Sequence, residues 1–260
     1  MTTAKTARSR PLNLFKPHRT QPLRMVNFAL QSTQAWAVKS LSLHTHGYPF
    51  RYTKIHGLPR CGTNYVAKLM QQNLRTMVME PTETGWKHGP CEYEPYTDYI
   101  FVTKNPYSWL LSFKHWEEIH ERTETIALSD FLTSPVSHPQ LQTAWQAETF
   151  VDAWNKASAA WLQYRDKPNV LFMRYEAVLE DFSAELKNVR EAFGYRMRTN
   201  EFSNISKRVD DWKTKKPRKP LNVQYYQNEE FMAEFSPQDL QTIRDSIDAD
   251  LADSLGYKIY

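Results

Sequence analysis

The densest chemical signal in the sequence is Gly57-Leu58-Pro59-Arg60-Cys61-Gly62-Thr63-Asn64-Tyr65: two glycines, a proline and a cation, followed by hydroxyl and amide side chains. Glycines let a backbone approach an anion closely, and the N–H groups that begin a helix point at it with the positive end of the helix dipole. Each dipole contact contributes only about 0.3–1 kcal/mol, so discrimination among anions falls to side chains, foremost Arg60 inside the loop. A second candidate pair is Lys104 and Ser112, with Asn105-Pro106 following the lysine. If a strand ends at Lys104 and a helix begins at Pro106, the pair can bring an ammonium and a hydroxyl to one anion. Lys87-His88 adds another cation and an imidazole, which exchanges its proton near neutral pH.

Several chemistries are tested by spacing. Gly57 and Gly62 have the G-x-x-x-x-G spacing of a nucleotide triphosphatase loop, yet Thr63-Asn64 stands where that loop needs Lys followed by Ser or Thr. That missing pair would hold the terminal phosphates and a magnesium ion, which weakens the reading as a P-loop-type small-molecule kinase. Cys61 is not the nucleophile of a cysteine phosphatase, because C-x5-R requires Arg where Ala67 stands. His115 and His120 lie five apart, on different faces of a helix, and the H-E-x-x-H zinc pattern is absent.

The arrangement Pro59-Arg60-Cys61-Gly62-Thr63-Asn64-Tyr65 resembles the 5'-phosphosulfate loop of sulfotransferases that use 3'-phosphoadenosine 5'-phosphosulfate (PAPS), written P-[KR]-[ST]-G-T-[TS]-[WYL]. Cys61 replaces the usual small hydroxyl residue and Asn64 is a milder departure. The second junction is similar to R-[ND]-P-x-[DE]-x-x-x-S of the same family, where the cation and the serine grip the cofactor's 3'-phosphate. Lys104 and Ser112 take those places, with Lys giving a point charge where Arg would give a fork. Lys87-His88-Gly89 resembles the segment in which many members carry a catalytic histidine, with the lysine beside it binding the transferred group. Arg174-Tyr175-Glu176, followed by a helix closing in Phe193-Gly194, resembles the element whose tyrosine lies near the adenine. Asp211-Trp212-Lys213 echoes a further element that precedes a basic loop, although the usual R-K-G is not recognisable.

What the resemblance implies, over roughly residues 50–260, is the following. His88, Arg60 and Lys87 act in catalysis. Arg60, Cys61, Gly62, Thr63, Asn64, Tyr65, Lys104, Ser112 and Tyr175 bind PAPS, whose product is adenosine 3',5'-bisphosphate. No metal is required. The acceptor is a hydroxyl or amine of a small molecule or saccharide, and Asp98 or Glu92 would be fallback bases. A different class, a non-enzymatic protein that binds polyanions through the basic run 207–220, would leave both strand-end motifs unexplained.

The elements that must hold these residues follow from pattern. Strands are expected at 52–56, 76–80, 99–103 and 169–176, with helices over 63–74, 140–164, from the end of that last strand to about 193 and over 236–257. Trp145, Phe150, Trp154 and Trp161 are expected in the core, and Ser129 is expected to cap a short helix. Alternating strands and helices predict an α/β fold: a single domain with a central parallel sheet flanked by helices, ligand at the carboxyl ends of the strands. The resemblance makes it a P-loop-NTPase-like sulfotransferase fold.

The chain of 260 residues, 41% hydrophobic and 24% charged, is long enough to bury one well-cored domain. We read residues 1–24, basic and without an acid, as an extended arm, residues 25–260 as the domain, and 25–43 as a helix beside the first strand. The net charge of +4 is modest, and nucleic acid is not an expected partner. Two cysteines cannot build a disulfide scaffold, and no run reaches the length of a membrane span or of a secretory signal. A cytoplasmic protein is expected.

Overall fold

A computed structural model describes residues 52–79, 86–120, 125–205 and 223–260. The basic arm, the helix expected over 25–43, the start of the loop before Trp86 and the basic run 207–220 lie outside the described residues.

Strands β1 (Tyr52–His56), β2 (Met77–Met79), β3 (Asp98–Thr103) and β4 (Val170–Arg174) form one sheet in the order β2-β1-β3-β4. Every pair is parallel, with Lys54 opposite Met79 and Tyr99, His56 opposite Phe101, and Phe101 opposite Phe172. Every residue of β1 and β3 is buried, as strands covered on both faces must be. From β1 the chain moves to one side to make β2, then returns to the other side for β3. The crevice above the carboxyl ends of β1 and β3 is therefore the switch point at which sheets of this kind bind ligands.

Helix α1 (Thr63–Asn73) follows β1 and buries Val66, Leu69 and Met70. After β3 come α2 (Pro106–His120), α3 (Leu128–Thr133), α4 (Pro139–Trp145) and α5 (Phe150–Leu162). After β4 come α6 (Tyr175–Glu180), α7 (Phe182–Phe193), α8 (Val223–Gln227), a 3-10 turn at Glu230–Glu234, α9 (Pro237–Ser246) and α10 (Ala249–Ser254). On one face of the sheet Phe101 stacks on Trp161 of α5, with centroids 5.6 Å apart. On the other, Thr53 bonds the hydroxyl of Tyr195, just beyond α7, at 2.7 Å. Trp109, Trp154, Trp161, Phe113 and Phe150 are all but fully buried, each worth about 1.5–3 kcal/mol over an exposed position.

Three helices expected as continuous are broken. The 140–164 segment splits where Gln146 turns left-handed at φ 49°, and Thr149 caps α5 by accepting from the Asp152 N–H. The segment after β4 splits at Asp181, whose carboxylate accepts from the N–H groups of Ser183 and Ala184 and so starts α7. The tail splits at Ile247, and Asp248 caps α10. Ser129 is not a cap: α3 starts after Ala127 with no side-chain cap. An acidic side chain inside an apolar period can serve as a solvated helix position or as a new N-cap, and packing decides which.

Candidate active site

The loop between β1 and α1 is built for close approach. A methyl group at Gly57 would lie 2.5 Å from the carbonyl oxygen of Val102, so this glycine lets the loop lie on β3. Gly62 has φ 84° and caps α1 with no side-chain hydrogen bond, leaving the first N–H groups of an eleven-residue helix directed at the crevice. Arg60 is also left-handed, at φ 73°, without a glycine's freedom, and its side chain is exposed. Backbone strain of this kind collects at ligand-binding loops.

Three tryptophan side chains hold the backbone of this region. Trp109 donates its indole N–H to the Pro59 carbonyl (2.7 Å), Trp145 to that of His88 (2.8 Å), and Trp154 to that of Lys104 (3.2 Å). The aromatic core thereby fixes the phosphate loop, the histidine turn and the end of β3 relative to one another. All three indoles also obtain the partner that a buried N–H requires.

The Lys87-His88 turn packs onto the phosphate loop. The Gly57 N–H donates to the Lys87 carbonyl at 3.3 Å, and the Lys87 ammonium donates to the Asn64 side chain at 2.5 Å. His88 donates from Nδ1 to the Gly57 carbonyl; because that oxygen can only accept, Nδ1 carries the proton and Nε2 keeps a lone pair. Burial, and then the Lys87 charge, lower the His88 pKa to about 3 against the pull of the Gly57 bond, so the ring is neutral.

At the end of β3, the Lys104 ammonium is buried and donates to Ser112 Oγ at 2.6 Å, one turn and a half into α2. It also lies over two rings, Tyr175 at 5.3 Å and Tyr226 at 5.0 Å from their centroids. Tyr175 in turn closes on Gly62, where an added methyl would come within 2.4 Å of its ring. Glu176 accepts from the Asn105 N–H at 3.0 Å and from Tyr257 at 3.3 Å, tying the start of α2 to α6 and to the segment around Tyr257.

The structure thus brings Arg60, Gly62, Thr63, Asn64, Lys87, His88, Lys104, Ser112 and Tyr175 to one edge of the sheet. Two candidates point elsewhere. The Cys61 thiol is buried in the core, and that burial pushes its pKa up, so only its backbone belongs to the loop. The Tyr65 hydroxyl donates to Asn204 at 2.9 Å, away from the crevice. The fallback base Asp98 sits at the opposite end of β3 and takes the Tyr195 hydroxyl at 2.5 Å. Glu92 offers its backbone carbonyl to Tyr99.

Residues that sequence spacing did not single out are Tyr226, Glu176 and His138. Tyr226 carries one faint signal, its place in an aromatic pair soon after the basic run; Glu176 and His138 gain their roles through contacts distant in sequence. His56 is also unannounced: it is buried at the end of β1 between Tyr99 and Phe101, with neither ring nitrogen hydrogen-bonded, and burial lowers its pKa to about 3. Among the described residues, no group of three or more His, Cys, Asp or Glu could hold a metal ion, and no helix is long and apolar enough to cross a membrane.

Comparison with known proteins bears on the family and the fold. A family model described as a sulfotransferase domain matches residues 90–248, a span that includes Lys104, Ser112 and Tyr175 and begins just beyond His88. Among solved structures, mouse sulfotransferase SULT7A1 complexed with PAP matches with a TM-score of 0.50 at 14% identity, over 79% of this chain and 88% of that one. A sulfotransferase from Alicyclobacillus acidocaldarius matches with a TM-score of 0.42 at 11% identity, over 81% of this chain and 98% of that one. No curated protein sequence matches.

Proposed function

The chain belongs to the sulfotransferase-domain family, and from that premise we propose that it moves a sulfuryl group from PAPS to a hydroxyl or amine of a small-molecule or saccharide acceptor. The observation that carries the proposal is the pairing of two anion-holding junctions in one crevice. The uncapped start of α1 follows β1, and the Lys104–Ser112 pair, 2.6 Å apart, follows the neighbouring β3. One ligand with phosphate groups at both ends suits two such junctions better than two separate anions do.

The residues fit that cofactor. Gly57 and Gly62 let the loop lie on β3 and against the Tyr175 ring, and the α1 N–H groups suit the phosphosulfate end. Arg60 and Lys87 add positive charge there. Lys104 and Ser112 suit the 3'-phosphate, and the Tyr175 ring, lying across Gly62, offers a face to the adenine side. When bound, PAPS supplies the activated sulfuryl group. His88 supplies the base: its Nδ1–H is fixed on the Gly57 carbonyl, and Nε2 can take the proton from the acceptor hydroxyl. Negative charge brought beside His88 raises its pKa from the depressed value, improving the base when the site is loaded. Arg60, Lys87 and the helix N-terminus favour the charge that develops on the leaving phosphate oxygen. Cys61 and Cys91 are both free thiols, which suits the cytoplasm.

Calorimetric titration with adenosine 3',5'-bisphosphate, and in parallel with ATP and magnesium, tests the reading on the wild type, Arg60→Ala and Lys104→Ala. Bisphosphate binding that is weakened at least tenfold in both variants, with no preference for Mg-ATP, is the expected result. Mg-ATP binding with indifference to the bisphosphate would replace this reading with a P-loop kinase.

A further inference from the structure

At the opposite end of the sheet from the crevice, α1 passes into β2 through a short two-stranded ribbon. Leu74 pairs with Met197 in an antiparallel bridge; the Arg75 N–H donates to the Arg196 carbonyl at 2.8 Å, and the Arg198 N–H to the Asn73 carbonyl at 2.9 Å. Arg75 therefore faces Arg196, and Arg198 follows two residues along. The side chains alternate: Leu74 and Thr76 are buried, Arg75 and Met77 exposed. Likewise Arg196 and Arg198 are exposed on either side of the half-buried Met197. Facing residues of an antiparallel pair share one side, with Cβ atoms about 4.5–5.5 Å apart, and alternate residues repeat at about 6.5–7 Å. Three guanidinium groups are thereby gathered on one outer face.

Few acids accompany them. Residues 61–79 contain none, and residues 186–200 contain Glu191 alone against Lys187, Arg190, Arg196 and Arg198. Among the described residues, Arg75, Arg190, Arg196 and Arg198 make no ion pair, and neither does Glu191 or Glu201, the acids next to them in sequence. Arg190 reaches the Met197 Sδ at 3.4 Å. Arg198 gives its Nε–H to the Leu74 carbonyl at 2.8 Å, which fixes the guanidinium and leaves its outer N–H groups to a ligand. Like charges facing each other across a pair are destabilising, and an anion seated between them removes that repulsion while accepting from both forks. Met77, 37% exposed, lies on the same side of its strand as Arg75.

We infer that this ribbon, Arg75, Arg196 and Arg198 with Met77 beside them, docks an acidic, extended segment of a partner protein. Carboxylates on alternate residues of an extended peptide repeat at the spacing of Arg196 and Arg198, and guanidinium forks match carboxylates in plane. Met77 adds apolar contact for a side chain of such a segment, a contact that the phosphates of a nucleic acid or the sulfates of a polysaccharide do not use. The eleven residues of α1 put about 16 Å between the ribbon and the phosphate loop, so docking is independent of what the crevice binds.

Fluorescence anisotropy with the full chain tests this, using a labelled peptide of alternating glutamate and threonine. The comparators are a peptide of the same composition with its glutamates adjacent, heparin, and phosphatidylcholine vesicles containing phosphatidylserine; the proteins are the wild type, Arg75→Ala, Arg196→Ala, Arg196→Lys and Lys187→Ala. The alternating peptide binds about tenfold more tightly than its counterpart. Arg75→Ala and Arg196→Ala each weaken it about tenfold, Arg196→Lys weakens it less because an ammonium keeps the charge without the fork, and Lys187→Ala leaves it unchanged. Melting temperatures at or above that of the wild type in the two arginine-to-alanine variants report an intact fold, since each removes a like-charge contact. The docking site is overturned if the alternating peptide fails to bind, binds no better than its counterpart, or binds both of those variants as it does the wild type. It is also overturned if heparin or the vesicles bind more tightly than the peptide and lose affinity in the same variants, which would assign the ribbon to that partner instead. A wild type that binds the peptide but not adenosine 3',5'-bisphosphate overturns the transferase reading alone.

Discussion

Replacing Arg60 by glycine should leave the protein more stable than replacing it by alanine, and both replacements should weaken binding of adenosine 3',5'-bisphosphate. Arg60 sits at φ 73°, in the left-handed region, although it has a side chain. That conformation costs an L residue about 1–2 kcal/mol, and glycine adopts it without the steric term. Glycine is also freer in the unfolded chain, which returns about 0.5–1 kcal/mol, so the net gain of Arg60→Gly over Arg60→Ala is about 0.5–1 kcal/mol. For a chain of this size that corresponds to a melting temperature about 1–4 °C higher. The alanine variant is the control: it loses the same cation and keeps the same strain. Scanning calorimetry compares the two, and titration with adenosine 3',5'-bisphosphate follows affinity, which should fall at least tenfold in both as a charge-assisted contact disappears. A glycine variant that melts at or below the alanine variant would refute the argument that the loop holds strain for the sake of the cation.

Acid should destabilise the fold through His56. Its folded pKa of about 3 lies below the unfolded value of 6.5, so its contribution is complete above pH 6.5 and is lost as pH falls toward 3, where the unfolded chain alone takes the proton. Urea unfolding at pH 7 and pH 4.5 should show about 2–3 kcal/mol of that loss in the wild type and its removal in His56→Leu, leaving a slope of similar size due to His88, whose pKa is also lowered to about 3; identical pH dependence in the two proteins contradicts it. Gly62→Ala places a methyl 2.4 Å from the Tyr175 ring at φ 84°, so it should lower stability by about 2 kcal/mol or more, partly restored by adding Tyr175→Ala; denaturation of the single and double variants measures this. Trp109→Phe keeps the core filled but removes the N–H donated to the half-buried Pro59, and should cost about 0.5–1.5 kcal/mol along with bisphosphate affinity. An affinity equal to wild type would show that this bond does not hold the loop.

The local parts of this molecule were legible from its residues. β1 and the start of α1 follow from a short strand-like stretch, two glycines and a 3.6-residue period, and Gly194 stops α7 as a left-handed cap at φ 70°. The eight-residue separation of Lys104 and Ser112, across a proline that begins a helix, anticipates their 2.6 Å contact because strand end and helix turn have nearly fixed dimensions. The parallel sheet follows from alternation of the elements. Three helix breaks were missed: at Asp181 and Asp248 an acidic residue reads the same as an exposed helix position and as a cap until packing chooses, and a left-handed Gln146 with a Thr149 cap interrupts an unbroken apolar period.

Spacing has no bearing on which core side chain meets which loop. The indoles of Trp109 and Trp154 reach backbone carbonyls fifty residues away in sequence, and Trp145 reaches one fifty-seven away. Tyr226 comes over Lys104, and His138 stacks on Trp86, only after the intervening chain has folded. The residue types and their local periods determined that a candidate anion-binding edge would form, with a histidine beside it. Tertiary packing alone decided that Cys61 turns into the core, that His88 presents Nε2 and not Nδ1, and that a row of rings flanks His88, because burial and long-range hydrogen bonds are properties of the assembled fold.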